Sequence, residues 1–413
     1  MEKIILINLV IAIIFCICYS YQFLYVIVSL MKKDKPHQET KAHRFAVLIA
    51  ARNEETVINH LIDSINTQTY DQGEVTVFVV ADNCTDQTAA CARKMGAIVY
   101  ERFDQTKIGK GHAMEFLLNQ MEKDYAPFDG YFVFDADNVL DQNYILEMNK
   151  TFSDGYDIIT SYRNSKNYGD NWISSGYAIW FLWESEFLNR GRMLLGTSCA
   201  VSGTGFFFSR RIIEKYGGWK FFLLTEDIQF TVDNVLSGEK IGYCRQAMLY
   251  DEQPVKFQQS FRQRMRWAKG FFQVFHRYGL DLFKGSLQRN TSCYDMLMVI
   301  MPAIILTLFT LIFNGSMILF GDYTTYQDDL IMMMMGRMIL NMYFMLVFIA
   351  TVTTATQWKN IHTTSFKKLA YIFTFPFFMF TYIPITIVAF FKKVEWQPIE
   401  HSRAKTLAEI KEG

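Results

Sequence analysis

The sequence predicts an α/β domain, built on a parallel sheet with helices on both faces and inserted between membrane-spanning helices. Three observations predict it. Between residues 40 and 290, short apolar runs alternate with stretches of helical periodicity. Long uncharged segments flank that region on both sides. Acidic and other polar residues collect where the apolar runs of the middle region end.

The first flank is residues 4–31, which carry no charge and exceed the roughly 20 apolar residues that a bilayer crossing needs. The run is too long for the core of a cleaved signal peptide and is followed by Lys32, Lys33 and Lys35, so it reads as an anchor. Three further apolar runs cover 295–320, 330–355 and 369–391. The lysines after the first run, with Lys359, Lys367 and Lys368 before the last, put the middle domain in the cytoplasm and the acidic 321–329 loop outside. Lys392, Lys393, Arg403 and Lys405 also draw the tail, 392–413, to the cytoplasmic side. Four full crossings from an outside N-terminus would leave that tail outside. The run 369–391, which contains Pro376 and Pro384, is therefore either a transmembrane or a re-entrant segment. The expected location is the plasma membrane, multi-pass.

Charge and cysteine usage narrow the class. Lysines and arginines equal aspartates and glutamates at 41 each, which excludes bulk nucleic-acid binding. The seven cysteines form no CxxC pair, as suits a reduced cytosolic domain rather than a disulfide framework or zinc site.

In the middle domain, 44–51, 75–82 and 131–137 read as strands, and 54–66, 86–96 and 111–122 as helices. Ligands of such sheets bind at the C-terminal strand ends, where Arg52, Asn53, Glu54, Asp82, Asn83, Asp135 and Asp137 lie. No GxGxxG follows the first strand, and "KIGKGH" lacks phosphate-loop spacing, so a dinucleotide site is not expected. Residues i and i+2 of a strand face one side, so Asp135 and Asp137 form either a divalent-ion site or a solvated turn. Downstream, "LTEDIQF" (224–230) opens a helix, and Asp227 is either a catalytic carboxylate or its N-cap. In "FRQRMRWAKGFFQ" (261–273), Gln263, Arg266 and Trp267 supply an amide, a planar fork for phosphate and a flat face for a sugar. Interfacial helices near 257–290 are expected, lying on the membrane or buried in the domain. Arg337 either lines a polar path or snorkels to the surface.

The ordered set Asp82, Asp135-x-Asp137, Thr225-Glu226-Asp227, Gln263-x-x-Arg266-Trp267 resembles that of membrane-embedded, processive glycosyltransferases of family 2. These are the cellulose, chitin, hyaluronan and poly-N-acetylglucosamine synthases. The resemblance implies a cytosolic glycosyltransferase A-type, Rossmann-like domain over 40–290. It implies that Arg52, Glu54, Asp82, Lys110, Asp135, Gln263 and Arg266 bind the nucleotide. Asp137 and Asp135 would hold Mg²⁺ or Mn²⁺, and Asp227, beside Glu226, would be the general base. Trp267, with Gly203 and Thr204 of "VSGTGFFFSRR", would bind the acceptor. The implied partners are a UDP-sugar donor, a growing glycan, the lipid bilayer and accessory export subunits. The favoured product is a β-linked polysaccharide from UDP-glucose. The alternatives are an N-acetylglucosamine polymer, one sugar on a lipid, and a sugar-nucleotide-binding protein without turnover.

Overall fold

The computed structural model describes residues 2–34, 36–320, 325–399, 401 and 403–412. The N-terminal apolar run forms α1 (Glu2–Tyr19) and α2 (Tyr21–Met31). The domain then runs β1 (Phe45–Ala51), α3 (Ile58–Asn66), β2 (Val75–Asp82), α4 (Thr88–Lys94), β3 (Ile98–Arg102), α5 (Lys110–Asp124) and β4 (Gly130–Asp135). It continues through β5 (Val139–Leu140), α6 (Tyr144–Ser153), β6 (Ile158–Ser165), α7 (Trp172–Trp183), a π-helical stretch (Glu184–Asn189) and α8 (Arg190–Leu195). Next come β7 (Phe206–Ser209), α9 (Arg210–Tyr216), α10 (Glu226–Leu236), β8 (Ile241–Asp251) and α11 (Phe257–Leu287). The C-terminal part holds α12 (Thr291–Ile300), α13 (Pro302–Phe320), α14 (Thr325–Thr356), α15 (Ser365–Phe380), α16 (Tyr382–Phe391) and α17 (Leu407–Glu412).

The sheet order is β3-β2-β1-β4-β7-β6-β8-β5. The first four strands are parallel, as expected from the sequence. Their side chains alternate between two cores: Phe45, Val47 and Ile49 enter one, Ala46 and Leu48 the other. Burial on both faces explains the unbroken apolar runs. The all-parallel expectation fails at β7, which runs antiparallel to β4 and β6. Every residue of "FFFS" is buried, so no polar alternation announces a strand or its direction. The half-polar edge strand β3, "IVYER", also went unread.

Among the described residues, three segments are long and apolar enough to cross a bilayer: Glu2–Met31, Asp329–Thr356 and Ser365–Phe391. Helices α12 and α13 make a fourth if counted together, bent by 45°. Pro302 explains the break, because the residue before proline leaves helical geometry. Of the expected outer loop, 321–324 lie outside the described residues and 325–329 open α14. Both ends of Ser365–Phe391 touch the α/β domain. Lys367 donates to the Gly169 carbonyl at 2.7 Å, and Lys269 of α11 donates to the Ala389 carbonyl at 3.2 Å.

A buried ion pair docks the helices on the domain. Arg192 of α8 donates to both carboxylate oxygens of Asp295 of α12, at 2.7 and 3.0 Å. Tyr21 and Tyr25 of α2 each donate to the same carboxylate at 2.8 Å. Arg192 and Asp295 are each 1% exposed. Removing one partner leaves an uncompensated buried charge, so Asp295→Ala is expected to cost about 3–5 kcal/mol. Thermal unfolding in detergent checks this, and an unchanged midpoint would mean that the pair does not hold the docking.

Candidate active site

Strands β1, β2 and β4 end level with one another, because Ala50 lies abreast of Asp135 and Ala51 abreast of Ala81. Their polar continuations therefore meet at one edge of the sheet. Arg52, Glu54, Asp82, Asp135 and Asp137 border a single cavity of about 640 Å³. Lys110 at the start of α5, Gly203 before β7, and Glu226 and Asp227 at the start of α10 border it too, as do Gln263, Arg266 and Trp267 of α11. Of the site residues that the family resemblance implies, only Thr204 does not border it.

Several of these side chains have a defined support. Asp82 accepts from Arg102 Nη1 at 2.5 Å and from Asn83 Nδ2 at 3.1 Å. Asp135 Oδ1 accepts from Lys110 Nζ at 2.5 Å, and the same ammonium donates to the Gly203 carbonyl at 2.8 Å. Thr204 turns inward, accepting from the Asp135 amide at 2.9 Å and donating to Asn138 Oδ1 at 2.5 Å. It braces the acidic pair from behind. Asp137 is 4% exposed, and its Oδ2 accepts from the Glu252 amide at 3.0 Å. Asp227 is not the N-cap of α10. Thr225 holds that position without a side-chain cap bond, and Asp227 lies in the first turn, where the helix dipole favours a carboxylate. Gln263, Arg266 and Trp267 share one face of α11 by their i, i+3, i+4 spacing. Any side chain on Gly270 would strike Thr225, so this glycine lets α11 approach the start of α10. Tyr177 and Phe181 meet the Trp267 ring edge-on at 5.7 and 6.2 Å and fix its plane.

The tail completes the site. Trp396 lies under the Arg52 guanidinium at 5.3 Å. His401 Nδ1 is 2.9 Å from Glu54 Oε1, and its Nε2 is 3.9 Å from Asp137 Oδ2. The His401 carbonyl accepts from Thr56 Oγ1, and Arg403 pairs with Asp170 at 2.9 Å. Trp396 and His401 escaped the sequence reading, which used the tail only for topology. Arg102, Arg163, Lys166 and Asp251 escaped it too, since they lie in strands or loops that carry no motif.

A description termed "Glycosyltransferase like family 2" matches residues 43–270, more than half of the chain. The chain belongs to this family. It is a sugar-transferring enzyme with a glycosyltransferase A-type fold. A probable glycosyltransferase YdaM of Bacillus subtilis (strain 168) is 25% identical over 279 residues, covering 61% of this chain and 60% of its own length. The β-monoglucosyldiacylglycerol synthase of Nostoc sp. is 26% identical over 273 residues, covering 63% and 56%. The poly-β-1,6-N-acetyl-D-glucosamine synthase of Staphylococcus aureus is 23% identical over 273 residues, covering 65% and 63%. The chain thus spans little more than half the length of the curated relatives it matches. A mannosyltransferase of Pyrobaculum calidifontis, solved with GDP-Man and Mn²⁺, shares the fold at a TM-score of 0.58 and 14% identity, over 92% of this chain and 98% of that one.

The electrostatics of this glycosyltransferase are set by burial. Burial, together with the neighbouring Asp227, pushes the Glu226 carboxyl up to about 7. Burial also raises Asp227 above its ordinary value, while the helix backbone, Lys110 and Arg266 pull it down. For Asp137 the balance is reversed. Burial would raise it, but His401 and Lys166 hold it below the usual carboxylate value. Lys166 is 4% exposed, has no hydrogen-bond partner among the described residues, and is lowered by burial.

No group of three or more His, Cys, Asp or Glu side chains within reach of one ion occurs among the described residues. The acidic pair nevertheless suits a magnesium-like ion, which uses one or two carboxylates and takes its other ligands from water and phosphate. Asp135 Oδ2 makes no hydrogen bond among the described residues, and Asp137 is held ionised beside it.

A step that needs the Asp227 carboxylate slows as pH falls through its raised pKa. Lys110→Met removes one of the cations that pull Asp227 down, so Asp227 ionises at higher pH and the acid limb of the rate profile moves toward alkaline pH. Initial rates of sugar transfer from acid to alkaline pH measure this. A limb that stays in place would mean that Asp227 does not sense the Lys110 charge.

Proposed function

We propose that this chain is an inverting glycosyltransferase. It moves a hexose from a UDP-sugar to an acceptor hydroxyl at the cytoplasmic face of the plasma membrane. The observation that carries the reading is that the separate motifs border one cavity at the C-terminal edge of the sheet. Asp82, Arg52, Glu54 and Lys110 bind the nucleotide, and Gln263 and Arg266 grip its diphosphate. Asp227 takes the proton from the acceptor hydroxyl as that oxygen bonds to the anomeric carbon. The bond to UDP breaks, UDP leaves with the electron pair, and the linkage becomes β. Arg266 meets the growing charge of the leaving group in a cavity of low dielectric. Trp267 supports the acceptor, and Gly203 leaves room for it: a Cβ there would stand 3.8 Å from Asp227 Oδ2. When bound, Mg²⁺ or Mn²⁺ on Asp137 and Asp135 would neutralise the diphosphate.

The membrane arrangement belongs to the same reading. The tail touches Glu54 and Asp170 and so shares the domain's side of the membrane. Contacts at both ends of Ser365–Phe391 favour a segment that lies against the domain over one that crosses. Repeated transfer into a β-glucan, with UDP-glucose preferred to UDP-N-acetylglucosamine and export along the spans, is supported by the Gln263-x-x-Arg266-Trp267 set. The relatives named above include both a glucosyl-lipid synthase and a polysaccharide synthase. Product length on each donor, with UDP release and linkage-specific digestion, separates these outcomes. No release on any UDP-sugar would sink the reading.

Asp227→Asn is expected to bind UDP normally and to lose at least about a hundredfold in transfer, the lower range for a general base. Retained activity would show that another group takes the proton. Trp267→Ala should weaken acceptor use more than UDP binding, as read by calorimetry beside acceptor-dependent rates; equal losses would assign the ring a packing role.

A further inference from the structure

Arg264 of α11 is 0% exposed, yet no carboxylate pairs with it among the described residues. Its Nη1 donates to the Phe378 carbonyl at 3.1 Å and to Thr381 Oγ1 at 2.7 Å. Its Nε and Nη2 have no hydrogen-bond partner among the described residues. A guanidinium is costly to bury in this way unless something offsets its charge. Two features do so. Phe378 lies in the last turn of α15, where helix carbonyls run out of partners and the negative end of the helix dipole stands. The rings of Phe378, Tyr382 and Tyr177 also surround the guanidinium, with centroids 4.3, 4.8 and 5.7 Å from its carbon.

The place of this contact is unusual. Helices α15 and α16 are the two halves of Ser365–Phe391, and they part at Thr381. Pro384 has no N–H to give to the Phe380 carbonyl, so the helix does not run on unbroken. Arg264 meets the apolar segment at that break.

Tyr177 of α7 links the break to the reaction. Its ring lies between the Arg264 guanidinium and the Trp267 ring, which it meets edge-on at 5.7 Å. Phe378 packs on the same ring at 4.9 Å. A Cβ on the neighbouring Gly176 would strike Phe378, so α7 and α15 touch here without a gap. The Tyr177 hydroxyl is 3.0 Å from Ser260 Oγ, one turn before Arg264 on α11. Trp267 borders the cavity, whereas Arg264 does not. No substrate reaches the guanidinium, and its effect on transfer is indirect.

We propose that Arg264 is a positioning residue that fixes the plane of Trp267 to the break in Ser365–Phe391. The guanidinium clamps Tyr177 against Phe378 and Tyr382, and Tyr177 in turn sets the Trp267 ring. The seat of the acceptor is thus registered on the apolar segment as well as on the α/β domain. This rests on the reading that Trp267 supports the acceptor.

The test uses the full chain in detergent micelles, grown with 5-fluorotryptophan and observed by fluorine NMR. Trp267→Phe identifies the Trp267 line by its loss. Trp219→Phe does the same for Trp219, which stacks on Phe230 in the domain core and reports the fold. Arg264→Met is expected to shift or split the Trp267 line and to leave the Trp219 line and UDP affinity unchanged. An unmoved Trp267 line overturns the proposal. Where Arg264→Met disturbs the Trp219 line as well, Thr381→Val, which removes only the Oγ1 contact, replaces it. The Trp267 line is again expected to move alone, and an unmoved line counts against the clamp.

Initial rates on UDP-glucose, with cellotetraose or hexadecylglycerol as acceptor, supply the functional arm. Arg264→Met is expected to raise the acceptor KM about tenfold. It should add nothing to Trp267→Ala in the double variant, as one residue acting through another requires. Additive losses, or UDP binding that weakens in step, overturn a role through Trp267. Failure of Trp267 as acceptor support would appear as an unchanged acceptor KM in Trp267→Ala, with the line still moved in Arg264→Met. Failure of Arg264 as its positioner would appear as a raised KM in Trp267→Ala, with the line unmoved in Arg264→Met.

Discussion

Carboxylates crowded into a cavity of low dielectric must be compensated, and much of this architecture follows from that requirement. Two like charges about 4 Å apart repel by roughly 4 kcal/mol at the effective dielectric of a protein surface. The strand ends and the start of α10 bring Glu54, Asp82, Asp135, Asp137, Glu226 and Asp227 to one cavity. Each region around them lends a cation. The edge strand β3 supplies Arg102, α5 begins with Lys110, and α11 turns Arg266 inward. Strand β6 contributes Arg163, which pairs with Asp251, and the tail returns His401 to Glu54. Where compensation is incomplete, the proton fills the gap, as the raised Glu226 shows.

That division explains what could be read from the sequence. The carboxylates lie in short, ordered motifs because each sits at the end of a strand or the start of a helix, and those ends have local signatures. Asp135-x-Asp137 follows an apolar run, and Glu226-Asp227 opens an amphipathic one. The counter-charges have no such grammar. Arg102 ends a half-polar edge strand, Lys166 lies in a polar loop, and His401 is far along the chain from Glu54. Only the folded topology brings them near. The same holds for β7, whose all-apolar strand hid its reversed direction. Thr204 shows the opposite case. It lies within a motif that the resemblance assigns to the acceptor, yet its hydroxyl bonds the Asp135 amide and Asn138.

The catalytic domain and the apolar helices form a single site. Residues of α1, α2, α13, α14 and α16 line the same cavity as the strand ends. Polar chemistry and hydrocarbon therefore share one enclosure. Trp267, pinned edge-on by Tyr177 and Phe181, gives that enclosure a rigid aromatic face where a flexible side chain would adapt to any occupant.

The Arg192–Asp295 pair carries a consequence for how the protein is made. The two partners are separated by 103 positions in the chain, and the tyrosines of α2 that share the carboxylate lie 270 and 274 positions upstream of it. At about 5–20 residues per second, Arg192 leaves the ribosome on the order of ten seconds before Asp295. During that interval the catalytic domain can form its sheet but cannot dock, because its interface holds an unmatched guanidinium. Docking waits for α12, whose Asp295 supplies the match. The ion pair thus sets an order in biosynthesis, in which the sheet can form before the apolar helices are attached to it.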